Sequence, residues 1–144
     1  EVSCFKTKMN KLLFYADFEM FRSHGQSITG AVFKAIPFGP VPNNFESIFE
    51  RLAVQDIIDL DYEDLPNGGQ KQFLKGRKDR QFQRELFSEE ELIVLERVRD
   101  RFKNVKPKEI VEISRLEAAW IENHSTKSFI NYGYALELKG MVTS

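Results

Sequence analysis

Two histidines, one cysteine and a scatter of acids are the residues of this 144-residue chain that could carry out chemistry. His24 ends a helical run, where a partial positive charge is favoured, and His124 is a polar residue just past a second run that contains Trp120. No His-x-x-x-His or Cys-x-x-Cys spacing occurs, so a structural zinc is not expected. Cys4 has no histidine near it in sequence to activate a thiolate. Gly68-Gly69 lacks the Lys-Ser/Thr that completes a phosphate loop, and Gly39 is hemmed in by prolines. The acids sit where helix starts and strand faces call for them, although two could still meet in space. The expectation is a protein with no catalytic residue, no metal and no cofactor, and hence not an enzyme.

The totals narrow the class. A net charge of −1 argues against a general nucleic-acid or acidic-membrane binder. A single cysteine permits no internal disulfide. No apolar run approaches the roughly 20 residues needed to span a bilayer, so a cytoplasmic protein without a membrane partner is expected. A chain of this length buries roughly 68–70% of its unfolded surface, and 13 phenylalanines make that core rich in rings.

The elements that must position these residues centre on Ser27 to Pro42, SITGAVFKAIPFGPVP. Gly30 marks a turn, Ala31 to Ile36 alternates as a strand does, and Pro37 ends it. Gly39 allows a positive φ, and Pro40 and Pro42 hold the following backbone extended or open a helix. Gly30, Pro37, Gly39 and Pro42 thus shape a stiff corner with Phe38 at its bend. Before it, Lys6 to His24 is an amphipathic helix with Met9, Leu12, Leu13, Ala16 and Met20 as its apolar stripe, closed by Gly25. Tyr15 and Asp17 lie off that stripe.

After the corner, Asn44 is placed to cap a helix from Phe45 to Leu52. Gln55 to Asp64 alternates as a half-buried strand, and Leu65 to Gly69 is a turn. Gln70 to Lys75 and Gln81 to Phe87 are expected as one or two further strands with a polar tip between. Five acids between Asp56 and Asp64 face six bases between Lys71 and Arg84 if these strands pair. Ser88 and Glu91 form a capping box ahead of a helix from Glu89 to Phe102. Pro107 opens another helix, expected to run to about Asn123, and a last helix is expected from Ser128 to Leu138. A tail from Gly140 should fray. The fold class is therefore α+β: mostly helical, with about five helices, and a small antiparallel sheet inserted after the first helices. Residues 1–139 are expected to form one domain and 140–144 a C-terminal tail. A chain that opens on Glu1 rather than Met leaves room for an upstream domain.

Two stretches carry a family resemblance. Asn10 to Phe18, NKLLFYADF, leads into Gln26-Ser27-Ile28-Thr29-Gly30 and then Ala35 to Pro42, AIPFGPVP. Near the other end, Ser114, Glu117 and Trp120 match a Ser-His-x-Glu-x-x-Trp helix, and Ile130, Tyr132, Ala135 and Leu138 match an Ile-x-Tyr-x-x-Ala-x-x-Leu segment. Together, across Lys8 to Leu138, they resemble the Panacea, or SocA-like, antitoxin domain of bacterial toxin–antitoxin operons and prophages. Arg115 stands where that family often has histidine.

The resemblance implies an antitoxin that neutralises a cognate toxin by direct protein–protein binding. The alternative it leaves is a DNA-binding autorepressor or a proteolytic adaptor of the same operon. The implied partners are a toxin, and beyond it a protease or chaperone, with DNA reached only through an upstream domain. Tyr15, Asp17, Phe38, Pro40 and Trp120 are the candidate toxin contacts. For Trp120 the competing reading is a core residue, since it lies on an apolar helix face.

Overall fold

The computed structural model describes residues 3–54, 58–76 and 84–142. Helix α1 (Lys6–His24) is its axis. No glycine or proline interrupts that run, Arg22 and His24 complement the dipole in its last turn, and Gly25 (φ 75°) closes it with a bond from its N–H to the Phe21 carbonyl at 2.8 Å.

The stripe expected on α1 is not the one most deeply buried. Lys11, Phe14, Tyr15 and Phe18, spaced i, i+3, i+4 and i+7, are all fully enclosed, while Met9, Leu12 and Leu13 are only half-buried. Every residue from Phe14 to Met20 is buried. The helix is covered on several sides at once, so one apolar stripe cannot describe it.

Two three-stranded antiparallel sheets flank α1. In the first, β1 (Ser3–Phe5) pairs with β5 (Gln70–Gly76), which pairs with β4 (Ile58–Asp64). The β4–β5 register sets Asp59 opposite Lys75 and Glu63 opposite Lys71, so the acidic and basic strands do face one another. Leu65 to Gly69 turns between them, with the Leu65 N–H bonded to the Gly69 carbonyl at 2.7 Å. Residues 55–57 and 77–83, which include the start of the expected acidic strand and most of the polar tip, lie outside the described residues. Arg84–Leu86 is a 3-10 turn rather than part of a further strand. β1 is a strand the sequence reading did not foresee.

In the second sheet, β2 (Phe33–Ile36) pairs with β3 (Gly39–Pro42) on one side and β6 (Phe129–Ile130) on the other. Pro37 and Phe38 form the turn of the β2–β3 hairpin. Pro40 and Pro42 extend the chain instead of opening a helix, and β3 is an edge strand, where prolines are tolerated. All four residues of β3 are buried, because α1 and later helices cover that edge.

Helix α2 (Phe45–Val54) follows the hairpin. Helix α3 (Glu89–Phe102) carries the expected capping box: the Glu91 N–H donates to Ser88 Oγ at 3.1 Å, and the Ser88 N–H to Glu91 Oε1 at 2.8 Å. Its buried residues are Val94, Val98 and Phe102. The long helix expected after Pro107 is broken. Helix α4 (Pro107–Ser114) ends, the chain turns through Arg115 to Glu117, and a short α5 (Ala118–Ile121) follows. The expected last helix is also corrected. Lys127 takes a left-handed φ of 52°, Phe129 and Ile130 join the second sheet as β6, and Tyr132–Glu137 winds as a 3-10 helix. The molecule is α+β and mostly helical, as expected, with strands contributed from both ends of the chain.

The core is a ring cluster between α1, the second sheet and α3. Phe18 lies 4.4 Å from Phe14, 5.6 Å from Phe33 and 4.8 Å from Tyr132 between ring centroids, and Tyr15 lies 4.8 Å from Phe102. Because Phe18 meets rings from α1, β2 and the Tyr132–Glu137 3-10 helix, Phe18→Ala should cost about 3–5 kcal/mol in urea melts. Ser88→Ala, which removes only a cap, should cost about 1 kcal/mol. Equal losses would show that the rings are not what holds the domain together.

Candidate functional site

Glu117 is why α4 and α5 are separate helices. Its backbone is extended (φ −73°, ψ 139°), and its side chain is fully buried. There the carboxylate accepts three hydrogen bonds: from the Tyr15 hydroxyl at 2.7 Å, the Lys139 N–H at 2.8 Å and the Gly140 N–H at 2.7 Å. Burial first, and the Glu117 charge second, push the Tyr15 phenol up from its ordinary value, so it stays a donor. Arg101 Nε donates to the Gly140 carbonyl at 2.7 Å. Gly140 is needed for the approach, since a Cβ there would collide with the Tyr15 hydroxyl and meet Glu117 Oε2 at 2.8 Å. The segment expected to fray at Gly140 is therefore buried there and tied on both sides of its peptide.

Asp17 has a similar internal task. It accepts from the Ile28 and Thr29 N–H groups at 2.9 Å each and from the Thr29 hydroxyl, fixing the loop after α1. Burial raises its carboxyl above the usual carboxylate value, and those three bonds draw part of that back. In the same loop Gly30 takes φ 72°, its N–H bonded to Ser27 Oγ at 3.0 Å. Trp120, 7% exposed, donates from Nε1 to the Ile36 carbonyl at 2.6 Å and so ties α5 to the base of the hairpin. His124 stacks on its ring at 4.0 Å, and the Arg115 guanidinium lies 4.8 Å from the ring centre. Of the five candidate contacts, Tyr15, Asp17 and Pro40 are sealed inside the molecule and Trp120 nearly so. Phe38 alone is open, at 68% exposure.

Beneath Phe38 lies a cavity of about 710 Å³ that the sequence reading missed. Its walls come from α1 (Lys6, Thr7, Asn10, Lys11), the hairpin (Ile36, Phe38, Val41), α2 (Phe45, Glu46), β4 (Tyr62) and α4 (Pro107, Lys108, Val111). Lys11 is 1% exposed, and among the described residues no acid or acceptor is bonded to its ammonium. Asn10 Oδ1 is also buried without a hydrogen-bond partner. Gly39 (φ 113°) makes room for the lysine, because a Cβ there would meet Lys11 Cε at 2.6 Å and Ser114 Oγ at 2.7 Å. A signal for Lys11 was present in the sequence: it shares helical spacing with Phe14, Tyr15 and Phe18, which places a cation on the buried side.

Among the described residues no group of three His, Cys, Asp or Glu side chains is placed to hold a metal, and no helix is long and apolar enough to cross a membrane. The fold and site define a small α+β domain whose buried carboxylates tie its own chain together and which carries an open pocket lined by Lys11. The chain belongs to the antitoxin SocA-like, Panacea domain family, whose profile matches residues 9–121. No curated protein and no solved structure matches it. Family membership gives an antitoxin role in general terms and implies a toxin as partner.

Two outcomes follow from this geometry. Tyr15→Phe removes one bond to a buried carboxylate and should cost about 1.5–3 kcal/mol in denaturant melts. Glu117→Ala should cost more, because it also leaves two amides unpaired.

Lys11 gives the second. Burial alone holds its pKa down, from 10.5 to about 7. Between those values the unfolded chain binds more protons than the native one, so stability rises with pH across that window. The wild type should gain on Lys11→Met between pH 7 and 9, by no more than about 1.4 kcal/mol per pH unit. Parallel curves would mean that the ammonium has a partner.

Proposed function

We propose that the chain neutralises its toxin by binding it directly, with Phe38 at the hairpin tip as an anchor, in the cytoplasm of a bacterium that carries the pair. The observation that carries this reading is an aromatic ring 68% exposed at the turn of a proline-flanked hairpin. Pro37 precedes it, Gly39 and Pro40 follow it, and Trp120 bonds the strand below it. A rigid, projecting aromatic loses little entropy on docking, and such residues dominate interface energies. The adjacent cavity extends the same face, and an interface of roughly 1,200–2,000 Å² would cover both. On this reading the chain performs no reaction. Its deeply buried acids Asp17 and Glu117 are committed to holding its own loops.

Co-expression with the protein encoded beside it tests this. The wild type should restore growth, and Phe38→Ala should lose most of that rescue while its melting curve stays within about 0.5 kcal/mol of wild type, since an exposed ring buries little. Full rescue by Phe38→Ala would remove the tip from the interface. No rescue by the wild type would overturn neutralisation itself.

A further inference from the structure

The cavity under the hairpin is not a plain apolar groove. Its middle is apolar and aromatic, from Ile36, Val41, Phe45 and Val111. Its charged lining is lopsided, with Lys6, Lys11 and Lys108 against Glu46. Glu46 is already engaged, 3.5 Å from Lys6 Nζ, and that lysine also lies over the Phe45 ring at 5.5 Å. Among the described residues Lys11 has no such answer. It is 1% exposed, lines the cavity, and is hemmed in from behind by the Gly39 backbone. A buried cation without a counter-charge lowers stability, and a fold that needed only to be stable would do better with Met or Leu at that position. Asn10, one residue earlier on the same wall, keeps a buried carbonyl oxygen without a donor. The two groups are complementary in kind: the Lys11 ammonium at the cavity takes an anion, and the buried Asn10 oxygen an N–H.

We infer that this pocket receives an acidic residue of the toxin, its carboxylate pairing with Lys11 and its backbone N–H reaching Asn10, beside an apolar side chain packed on Phe45 and Val111. The inference rests on the direct-binding reading and names the chemistry of the contact. Charge decides the occupant. Among the described lining residues, Lys11 and Lys108 remain once Lys6 and Glu46 pair, and they select an anion, while the apolar walls select one that comes with hydrophobic surface. Lys108, exposed at the mouth, would draw the acid in before Lys11 takes it.

The test uses the purified chain and the purified protein encoded beside it, with affinity measured by calorimetry. Lys11→Met should weaken binding about thirtyfold or more, the loss typical when one partner of a buried charge pair is removed. Its melting midpoint at pH 7 should be equal to or above that of wild type, which separates lost recognition from lost folding. Lys108→Glu, at an exposed position, should slow association severalfold with no change in melting. One Asp→Asn or Glu→Gln change on the toxin should reproduce the Lys11→Met loss, and the two together should cost no more than either alone. Binding by Lys11→Met within twofold of wild type would overturn the inference while leaving neutralisation standing. So would a toxin on which no acid substitution matters. Self-association of the wild type that Lys11→Met abolishes would overturn it too, by making a second copy of the chain the occupant. A wild type that neither binds nor neutralises the toxin would instead overturn the reading beneath it.

Discussion

A helix enclosed on nearly every side must answer the polar groups it carries from within the protein. That constraint governs α1 and, through it, most of the fold. Tyr15 is answered by Glu117, and Glu117 in turn by the amides of Lys139 and Gly140, which draws the C-terminal segment onto the core. Asp17 is answered by the amides of Ile28 and Thr29, which fixes the path into the second sheet. Each bond runs to the carboxylate of a buried residue, so each is expensive to leave unmade. The ring cluster supplies the cohesion, but rings pack in many ways. These directional ties select one arrangement.

Local signals were legible where the chain decides its structure within a few residues. The α1 boundaries, the Leu65 to Gly69 turn, the Ser88 capping box and the Pro107 start all rest on neighbours in sequence, and each stands where it was expected. What was not legible is settled across long separations. Nothing around Glu117 announces a break in a helix. The break exists because Tyr15, 102 positions away, and Gly140, 23 away, claim its carboxylate. Phe129 and Ile130 have helical spacing with Tyr134 and Leu138, yet they pair with Phe33 and Lys34 because β2 offers an open edge. Helical propensity over two residues is worth tenths of a kcal/mol, less than the ladder bonds gained.

The candidate contacts divide along the same line. Tyr15, Asp17 and Trp120, all candidate contacts, each make a specific bond within their own chain. A motif shows that a residue makes a specific bond and does not show with whom. Burial separates the cases, and burial is a property of the whole fold. Phe38 differs because it sits in the two-residue turn of the hairpin, where its ring stays 68% exposed above the cavity.

Lys11 stands against this background as the exception on α1. Among the described residues, the helix that pairs its tyrosine and its aspartate leaves Lys11 without an acid, in space that Gly39 keeps clear by having no Cβ. Desolvating an ammonium without compensation costs more than any cap or loop bond in this domain contributes. A residue so placed weakens the isolated chain, and on the proposed reading it gains its counter-charge from the toxin. On the proposed reading, neutralisation and stabilisation then have one cause. A toxin that fills the pocket removes the fold's own unsolved electrostatic problem, so the bound antitoxin is the more stable one and the free antitoxin the more readily unfolded and degraded.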